Sequence, residues 1–304
     1  DQGVQGRLEF ADGELSTEDG VWQELRGETR FALEAGGLRF DPLAIHGDRF
    51  AVAGSLLLDA EAHQRVEGSV KIGLDAARLA SYLPDSAGVT GRLEGNLAGV
   101  WEDGVVIAQG DVSAVALNLW ELHLDSLESD LRIENGIAMR RLRAHLLGGQ
   151  ATGSLDTSPT DTGFSLDADL RLDGLDLSAL LELGAWAGPE LTGTAHYRGR
   201  HHIESSGTES LTGSGVLDAV GHYRPAGKEP LPLEVTARVQ TRGNTVRVTG
   251  GVLRVGAARG AFSGTVRKEE GIRLRLDGAG EDRELLAPLF RVSPRRDPGP
   301  SPSP

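Results

Sequence analysis

The densest cluster of residues that could do chemistry is the run His196-Tyr197-Arg198-Gly199-Arg200-His201-His202. Imidazole nitrogens bind zinc and exchange protons near neutral pH. On a β-strand, His196 and His202 would share one face and His201 would point to the other, because successive side chains alternate. A zinc site needs three or four converging ligands, and the spacing supplies no carboxylate or thiolate partner. The run therefore predicts surface histidines at a strand end and no metal site.

Carboxylates are the second candidate, and pairs such as Asp156 and Asp161 invite comparison with a glycosidase. That chemistry needs two carboxyl groups roughly 5 to 10 Å apart across a sugar, and the spacing singles out no pair. The segment from Gly221 to Glu229 departs from a phosphate loop, because Glu229 stands where a Ser or Thr would bind magnesium. We predict no catalytic, cofactor-binding or metal-binding residues, and hence neither an enzyme nor a cofactor.

Composition narrows the class of protein further. The 304 residues include 31 Lys and Arg against 45 Asp and Glu, a net charge of -14, which disfavours a nucleic-acid partner. The chain has no cysteine, which removes disulfides and thiolate sites, and its 42 glycines favour many short strands joined by tight turns. Apolar runs such as 105–108 are far too short to span a bilayer as a helix.

Three landmarks recur along the chain in one order and predict three repeats of about a hundred residues. The first opens each repeat with a glycine, at Gly6, Gly110 and Gly215, offsets of 104 and 105. The second is the phrase Ala53-Gly54-Ser55-Leu56, matched by 152–155 and 263–266. The third is Leu74-Asp75, matched by Leu172-Asp173 and Leu276-Asp277 at offsets of 98 and 104. We expect repeats at 1–100, 101–200 and 201–290 and a disordered Pro/Ser-rich tail at 291–304.

Within each repeat, apolar residues alternate with polar ones, as in strands with one apolar face. Examples of such apolar sets are Thr29, Phe31 and Leu33; Leu127, Ser129, Leu131 and Ile133; and Leu233, Val235, Ala237 and Val239. Glycine-containing turns at 35–37, 134–136 and 242–244 predict antiparallel hairpins. Segments 78–83, 175–183 and 282–289 have helical spacing instead, so we expect one short helix in each repeat.

A sheet with one apolar face must cover that face. Two sheets could pack as a sandwich, the strands could close into a barrel, or the sheet could curl lengthwise into a trough. The small side chains favour a narrow interior, and the repeats favour an elongated, stacked form. Residue patterns alone leave an open groove and a closed core equally possible.

The phrase 89–99, Val-Thr-Gly-Arg-Leu-Glu-Gly-Asn-Leu-Ala-Gly, and the succession of Gly153-Ser154-Leu155, 172–183 and Leu191-Thr192-Gly193 resemble repeats of the AsmA-like family, to which TamB and YhdP belong. The resemblance covers most of residues 1 to 290. It implies a mainly β fold, an elongated, curled antiparallel sheet (a β-taco) with a hydrophobic groove.

The resemblance also implies a function. Members of the family are Gram-negative envelope proteins, anchored to the inner membrane, that are associated with phospholipid movement to the outer membrane and with outer-membrane biogenesis. We therefore expect a periplasmic middle fragment whose groove holds phospholipid acyl chains. Its anchor, an outer-membrane β-barrel partner and inner-membrane partners would act through segments outside this sequence. This sequence lacks the family's anchor helix and partner-binding domain, which leaves anchorage and partners open.

An acyl chain crossing water exposes each methylene at a cost of about 0.8 kcal/mol, and an apolar trough removes most of that cost without specific contacts. On this hypothesis the apolar-face residues are the working parts of the protein. The candidates for the lipid groove are Phe31, Leu33, Phe40, Ile45, Leu127, Leu131, Ile133, Leu142, Leu146, Val235, Val239, Val246 and Val248. The alternatives are a structural or adhesive β-solenoid with a closed core and a polysaccharide-processing enzyme on a β scaffold.

Overall fold

The computed structural model shows a mainly β protein, whose described residues form a single antiparallel sheet of 17 strands that is not closed. This confirms the fold class. The structure describes residues 4–17, 20–34, 36–47, 50–59, 65–77, 89–119, 122–161, 163–183, 190–205, 209–225, 227–267 and 271–277, together with Leu286 and Leu289. The predicted tail at 291–304 lies outside these residues. No helix in the described ranges has the length and hydropathy needed to cross a bilayer.

The chain divides into two compact units, which we describe separately. Unit 1 comprises Asp1–Ala144 and Ser154–Pro159, and unit 2 comprises His145–Gly153 and Thr160–Pro304. The division into three repeats stays a prediction. The strands of unit 1 are β1 (Gln5–Thr17), β2 (Gly20–Glu34), β3 (Gly37–Gly47), β4 (Phe50–Asp59), β5 (Arg65–Asp75), β6 (Thr90–Glu102), β7 (Val105–Leu119) and β8 (Leu122–Ile133).

Strands β9 (Ile137–Leu146) and β10 (Gly149–Thr160) contribute residues to both units. Unit 2 continues with seven strands and one short helix among its described residues. These are β11 (Gly163–Asp176), α1 (Leu177–Leu183), β12 (Leu191–Ser205), β13 (Glu209–Tyr223), β14 (Leu231–Arg242), β15 (Thr245–Val255), β16 (Ala258–Arg267) and β17 (Gly271–Asp277).

The predicted hairpin turns and repeat landmarks fall at regular places in the strand order. The turns at 35–37, 134–136 and 242–244 join β2 to β3, β8 to β9 and β14 to β15. The opening glycines lie on β1, β7 and β13, and the Gly-Ser-Leu phrases lie on β4, β10 and β16. Each landmark therefore returns after six strands.

Of the three predicted helices, the structure shows one, α1, two residues shorter than 175–183. Leu175 and Asp176 end β11, and the Asp176 carboxylate accepts hydrogen bonds from the backbone N–H groups of Ser178 and Ala179 at 2.7 and 3.1 Å, a helix N-cap. Asp75 accepts a bond from the N–H of Ala77 at 2.9 Å in the same way. Segment 78–83 lies outside the described residues, and of 282–289 only Leu286 and Leu289 are described.

This capping role corrects the alignment of the repeats. Asp75 and Asp176 end β5 and β11 and cap the turn that follows, whereas Asp173 lies inside β11. The partner of Leu74-Asp75 is therefore Leu175-Asp176, not Leu172-Asp173. Since Leu276-Asp277 ends β17, the three landmarks are separated by 101 residues each time.

Glycine at the Gly-Ser-Leu landmark has a common steric cause. A Cβ on Gly54, Gly153 or Gly264 would lie 2.0 to 2.1 Å from the carbonyl oxygen of Ser69, Asp169 or Arg273 on the next strand. No side chain tolerates that distance, so only glycine permits the two backbones to approach so closely. Gly54 pairs with Val70, and Gly264 pairs with Leu274. Both pairs lie on the apolar side of the sheet, where the neighbouring strands approach each other closely.

Candidate functional site: the apolar faces of the two units

The register in unit 1 brings apolar side chains from successive strands into continuous rows across one face. The row nearest the β6–β7 turn, here called the rim row, runs from β2 to β7. It consists of Leu33, Leu38, Leu58, Val66, Trp101 and Val106. Four members are strongly exposed, at 51% for Leu33, 37% for Leu58, 43% for Trp101 and 45% for Val106. The rim row is an unusually water-exposed line of large apolar groups.

Two further rows run beside the rim row and carry several predicted groove residues. One contains Phe31, Phe40, Leu56, Gly68, Gly99, Ala108 and Ile133, and the next contains Thr29, Leu43, Gly54, Val70, Leu97, Gly110 and Leu131. Neither row contains an ionisable side chain. Glycines stand among the large side chains, at Gly68 and Gly99 in the first row and at Gly54 and Gly110 in the second. Most of the large members are only half-buried.

At the opposite strand ends, unit 1 is packed. The packed residues lie beside the last residue of β5 and the first residue of β6. They are Ala76, Val89, Ala114, Leu117 and Leu124, all buried. Leu117 pairs with Leu124, and Ala114 pairs with Leu93. One face of unit 1 therefore changes from a closed interior at one end to an exposed row at the other.

Unit 2 shows the same change in side-chain burial from one end of its strands to the other. Its packed end, at the α1 side of the strands, consists of Leu175, Ala195, Ala219, Leu233, Leu253 and Val255. Leu233 is 2% exposed and Val255 is fully buried. Helix α1 contacts β11 and β12 there, and Ser178 donates a hydrogen bond to the carbonyl oxygen of Leu191 at 2.9 Å. Leu286, also fully buried, lies against Gly260.

Away from α1, the same face of unit 2 is only half-buried. This open half consists of Leu166, Leu170, Ile203, Leu211, Val239, Val246, Val248, Val266 and Leu274. Val239 pairs with Val248, and Val248 pairs with Gly264. The described residues of the strands thus leave one continuous apolar surface accessible to solvent in this unit.

The predicted groove residues differ in how deeply the structure buries them. Ten are half-buried on the apolar faces: Phe31, Phe40, Ile45, Leu127, Leu131, Ile133, Val235, Val239, Val246 and Val248. Leu33 lies in the exposed rim row. Leu142 and Leu146, at 5% and 6% exposure, are buried on β9. Sequence patterns missed Leu38, Leu58, Val66, Trp101 and Val106, although strand alternation on β3 to β7 pointed to them.

The other face of each unit is polar and carries ion pairs between register partners. Arg65 bonds to Glu102 at 3.3 Å, Arg200 to Asp169 at 2.9 Å and Arg254 to Glu234 at 3.2 Å. These pairs are exposed, so each stabilises the sheet only slightly. Their arrangement keeps charge off the apolar face.

The histidine cluster divides between the two faces as its spacing predicts. His202 bonds to the carboxylates of Asp167 at 2.8 Å and Glu204 at 3.3 Å, which raises its pKa. His196 lies 3.3 Å from the carboxylate of Asp173, whose pKa is lowered chiefly by its hydrogen bond from Arg171. Among the described residues, no group of three or more His, Asp or Glu side chains could hold a metal ion.

His201 is the exception, because it lies on the apolar face. Its Nε2 atom is 2.7 Å from the hydroxyl oxygen of Tyr197, and both residues are half-buried. Burial lowers the pKa of His201 and raises the pKa of Tyr197. The prediction of surface histidines missed this polar pair, although the odd spacing of His201 from His196 placed it on the other face.

Comparison with known proteins adds no relative to this description. No family model, no curated protein and no solved structure matches the chain.

Proposed function

We propose that the apolar faces bind phospholipid acyl chains and that the chain is a segment of an AsmA-like envelope protein that conducts phospholipid between the inner and outer membranes. The observation that carries the proposal is the half-buried apolar surface of an unclosed sheet. Large apolar side chains that are exposed to water mark a surface that binds an apolar ligand or partner. Acyl chains are such a ligand, since each methylene that they bury contributes about 0.8 kcal/mol to the free energy of binding.

The chemistry of the surface supports a chain-like apolar ligand. The rim row and the two rows beside it contain no ionisable residue, while charges lie on the opposite face. A ligand there meets chiefly hydrocarbon and glycine backbone, contacts that hold a chain without fixing its position along the row. Such binding permits movement, which conduction requires.

The proposal places the protein in the periplasm, with an inner-membrane anchor and an outer-membrane β-barrel partner supplied by segments outside this sequence. These elements follow from the resemblance of the repeats to the AsmA-like family. The acidic composition is compatible with an aqueous compartment between membranes.

The packed ends favour a second candidate, a structural β-solenoid. Leu233, Leu253 and Val255 form an interior like that of any closed β protein. If the protein is a structural solenoid, the half-buried residues are the incompletely packed margin of the hydrophobic core and bind no ligand.

Native mass spectrometry of the whole chain with phosphatidylethanolamine tests the proposal. Wild type should bind the lipid. Val239→Asp, in the open half, should lose the binding contributed by unit 2 while remaining folded, because a carboxylate in the path of a chain must be desolvated. Val220→Asp is the matched control: Val220 is 51% exposed and pairs with Thr194 and Glu234, on the polar face.

The result separates the two candidates. Binding by wild type and by Val220→Asp, with loss in Val239→Asp, supports the groove. A folded wild-type chain that binds no phospholipid would leave the structural solenoid as the better account.

A further inference from the structure

The Tyr197 and His201 side chains form a polar pair inside the apolar face of unit 2, at the boundary between its packed end and its open half. They lie four residues apart on β12 and therefore share a face. The hydroxyl oxygen of Tyr197 and the Nε2 atom of His201 are 2.7 Å apart, and the ring centroids are 5.8 Å apart. Tyr197 pairs across the sheet with Leu172 and Leu217.

The pair lies flat on a surface of glycine backbone. A Cβ on Gly199 or Gly215 would come within 2.2 or 2.4 Å of the Tyr197 hydroxyl oxygen. A Cβ on Gly213 would lie 2.2 Å from Nδ1 of His201. Three glycines on two neighbouring strands thus provide the space that holds both rings against the sheet.

None of the described register neighbours of the pair is charged. Its neighbours across β11 are Ala168, Leu170 and Leu172, and across β13 they are Gly213, Gly215 and Leu217. Burial disfavours the charged form of each ring, so the phenol and the imidazole are both neutral at pH 7.

A neutral phenol and a neutral imidazole keep hydrogen-bonding capacity after they bond to each other. The mutual bond uses one hydrogen, and one remains, on Nδ1 of His201 or on the Tyr197 hydroxyl according to the tautomer. Within the described part of the chain, neither atom has another protein partner within hydrogen-bond distance. A donor in apolar surroundings binds an acceptor strongly, because water competes poorly there.

We propose that the Tyr197–His201 pair is a subsite for the ester carbonyl group of a bound glycerolipid. This inference rests on the proposed function, since it supplies one polar contact to a lipid whose chains lie on the apolar face. An ester carbonyl is uncharged and accepts the free hydrogen. A carboxylate or phosphate fits less well, because the described register neighbours of the pair include no cation to offset desolvation of the anion.

Lipids that differ only at this group provide the test. The whole chain is mixed with equal amounts of dioleoylphosphatidylethanolamine and its di-O-oleyl ether analogue, which lacks the carbonyl oxygens, and complexes are counted by native mass spectrometry. Wild type should favour the ester about three- to tenfold, the range that one hydrogen bond supplies. Oleate, added as a third competitor, should bind more weakly than the ester.

The double variant Tyr197→Phe/His201→Leu should bring the ester-to-ether ratio close to one, since it removes both donors. The control Tyr223→Phe/His202→Leu makes the same chemical changes elsewhere and should keep the wild-type ratio. Tyr223 is only 2% exposed, which leaves a ligand no access, and His202 lies on the polar face. A purely structural pair would affect stability and leave the ratio unchanged.

The outcomes distinguish the subsite from the function. Equal binding of ester and ether by wild type overturns the subsite and leaves the groove standing. Binding of neither lipid overturns both. A preference for oleate that disappears in the double variant overturns the assignment to esters in favour of fatty acids. The wild-type ratio decides even where the double variant does not fold.

Discussion

The packed end and the open half of unit 2 are built from the same strands, on the same face, with the same kinds of residue, yet they differ in exposure. On β14, Leu233 is 2% exposed, while Val239, six residues away on the same face, is half-buried. Helix α1 and Leu286 lie at the packed end.

The packed end and the open half of this face have different roles, one in stability and the other in ligand access. Buried apolar area at the packed end stabilises the unit, since its side chains leave water completely on folding. The open half contributes less to stability and keeps an apolar surface available to a ligand. Unit 1 shows the same separation between its rim row and its buried residues Ala114, Leu117 and Leu124.

The same substitution at the two places tests the comparison most severely. Leu233→Asp buries an unpaired carboxylate, and we expect it to lower the free energy of unfolding by about 4 kcal/mol or more. Val239→Asp leaves its carboxylate in reach of water and should cost about 1 kcal/mol. Urea unfolding followed by circular dichroism measures both. Equal losses would show that the open half is part of the core.

Truncation makes the matching test in unit 1. Leu124→Ala removes a buried side chain, and the cavity should cost about 3 kcal/mol. Leu58→Ala, in the rim row, should cost less than about 1 kcal/mol, because that side chain is already partly in water. Thermal unfolding of the two variants provides the measurement. A rim-row truncation as costly as that of Leu124 would contradict an open rim.

Substitutions at the glycines test whether the close approach of neighbouring strands on the apolar side is essential for stability. Gly264→Ala puts a methyl group 2.1 Å from the carbonyl oxygen of Arg273, so the strands must separate, at a cost of about 2 kcal/mol. Gly73→Ala is the control, since nothing lies within 4 Å of its Cβ position, and it should be close to neutral. Chemical denaturation that ranked Gly73→Ala as the worse variant would remove the argument from crowding.

The smallest effect is a pH dependence of opposite sign on the two faces. The lowered pKa of His201 adds stability above about pH 6.5, lost as pH falls through the folded-state value. The raised pKa of His202 adds stability below about pH 6.5, lost as pH rises through its folded-state value. Urea midpoints between pH 5 and 8 should therefore change slope in opposite directions for His201→Leu and His202→Leu. Slopes that change in the same direction would contradict the assignment of the two rings to different environments.

Sequence patterns determined the fold class, the hairpin turns and one of the three short helices, because alternation and turn residues act locally. They did not locate every member of the apolar face. Phe40 and Ile45 are five residues apart, so strict alternation would place them on opposite faces. A β-bulge between Phe40 and Leu43 returns both to the same face, and Pro42, a residue that strands accept mainly at edges and bulges, was its local signal.

The sequence by itself determined that this protein is an antiparallel sheet with one apolar face, since period-two alternation and glycine turns depend only on neighbours along the chain. Only the tertiary structure decided which part of that face is packed and which is open. Leu233 and Val239 are equivalent in pattern, yet Leu233 is 2% exposed and Val239 is half-buried. The Tyr197–His201 pair likewise depends on three glycines from two strands, a meeting that only the register of the sheet produces.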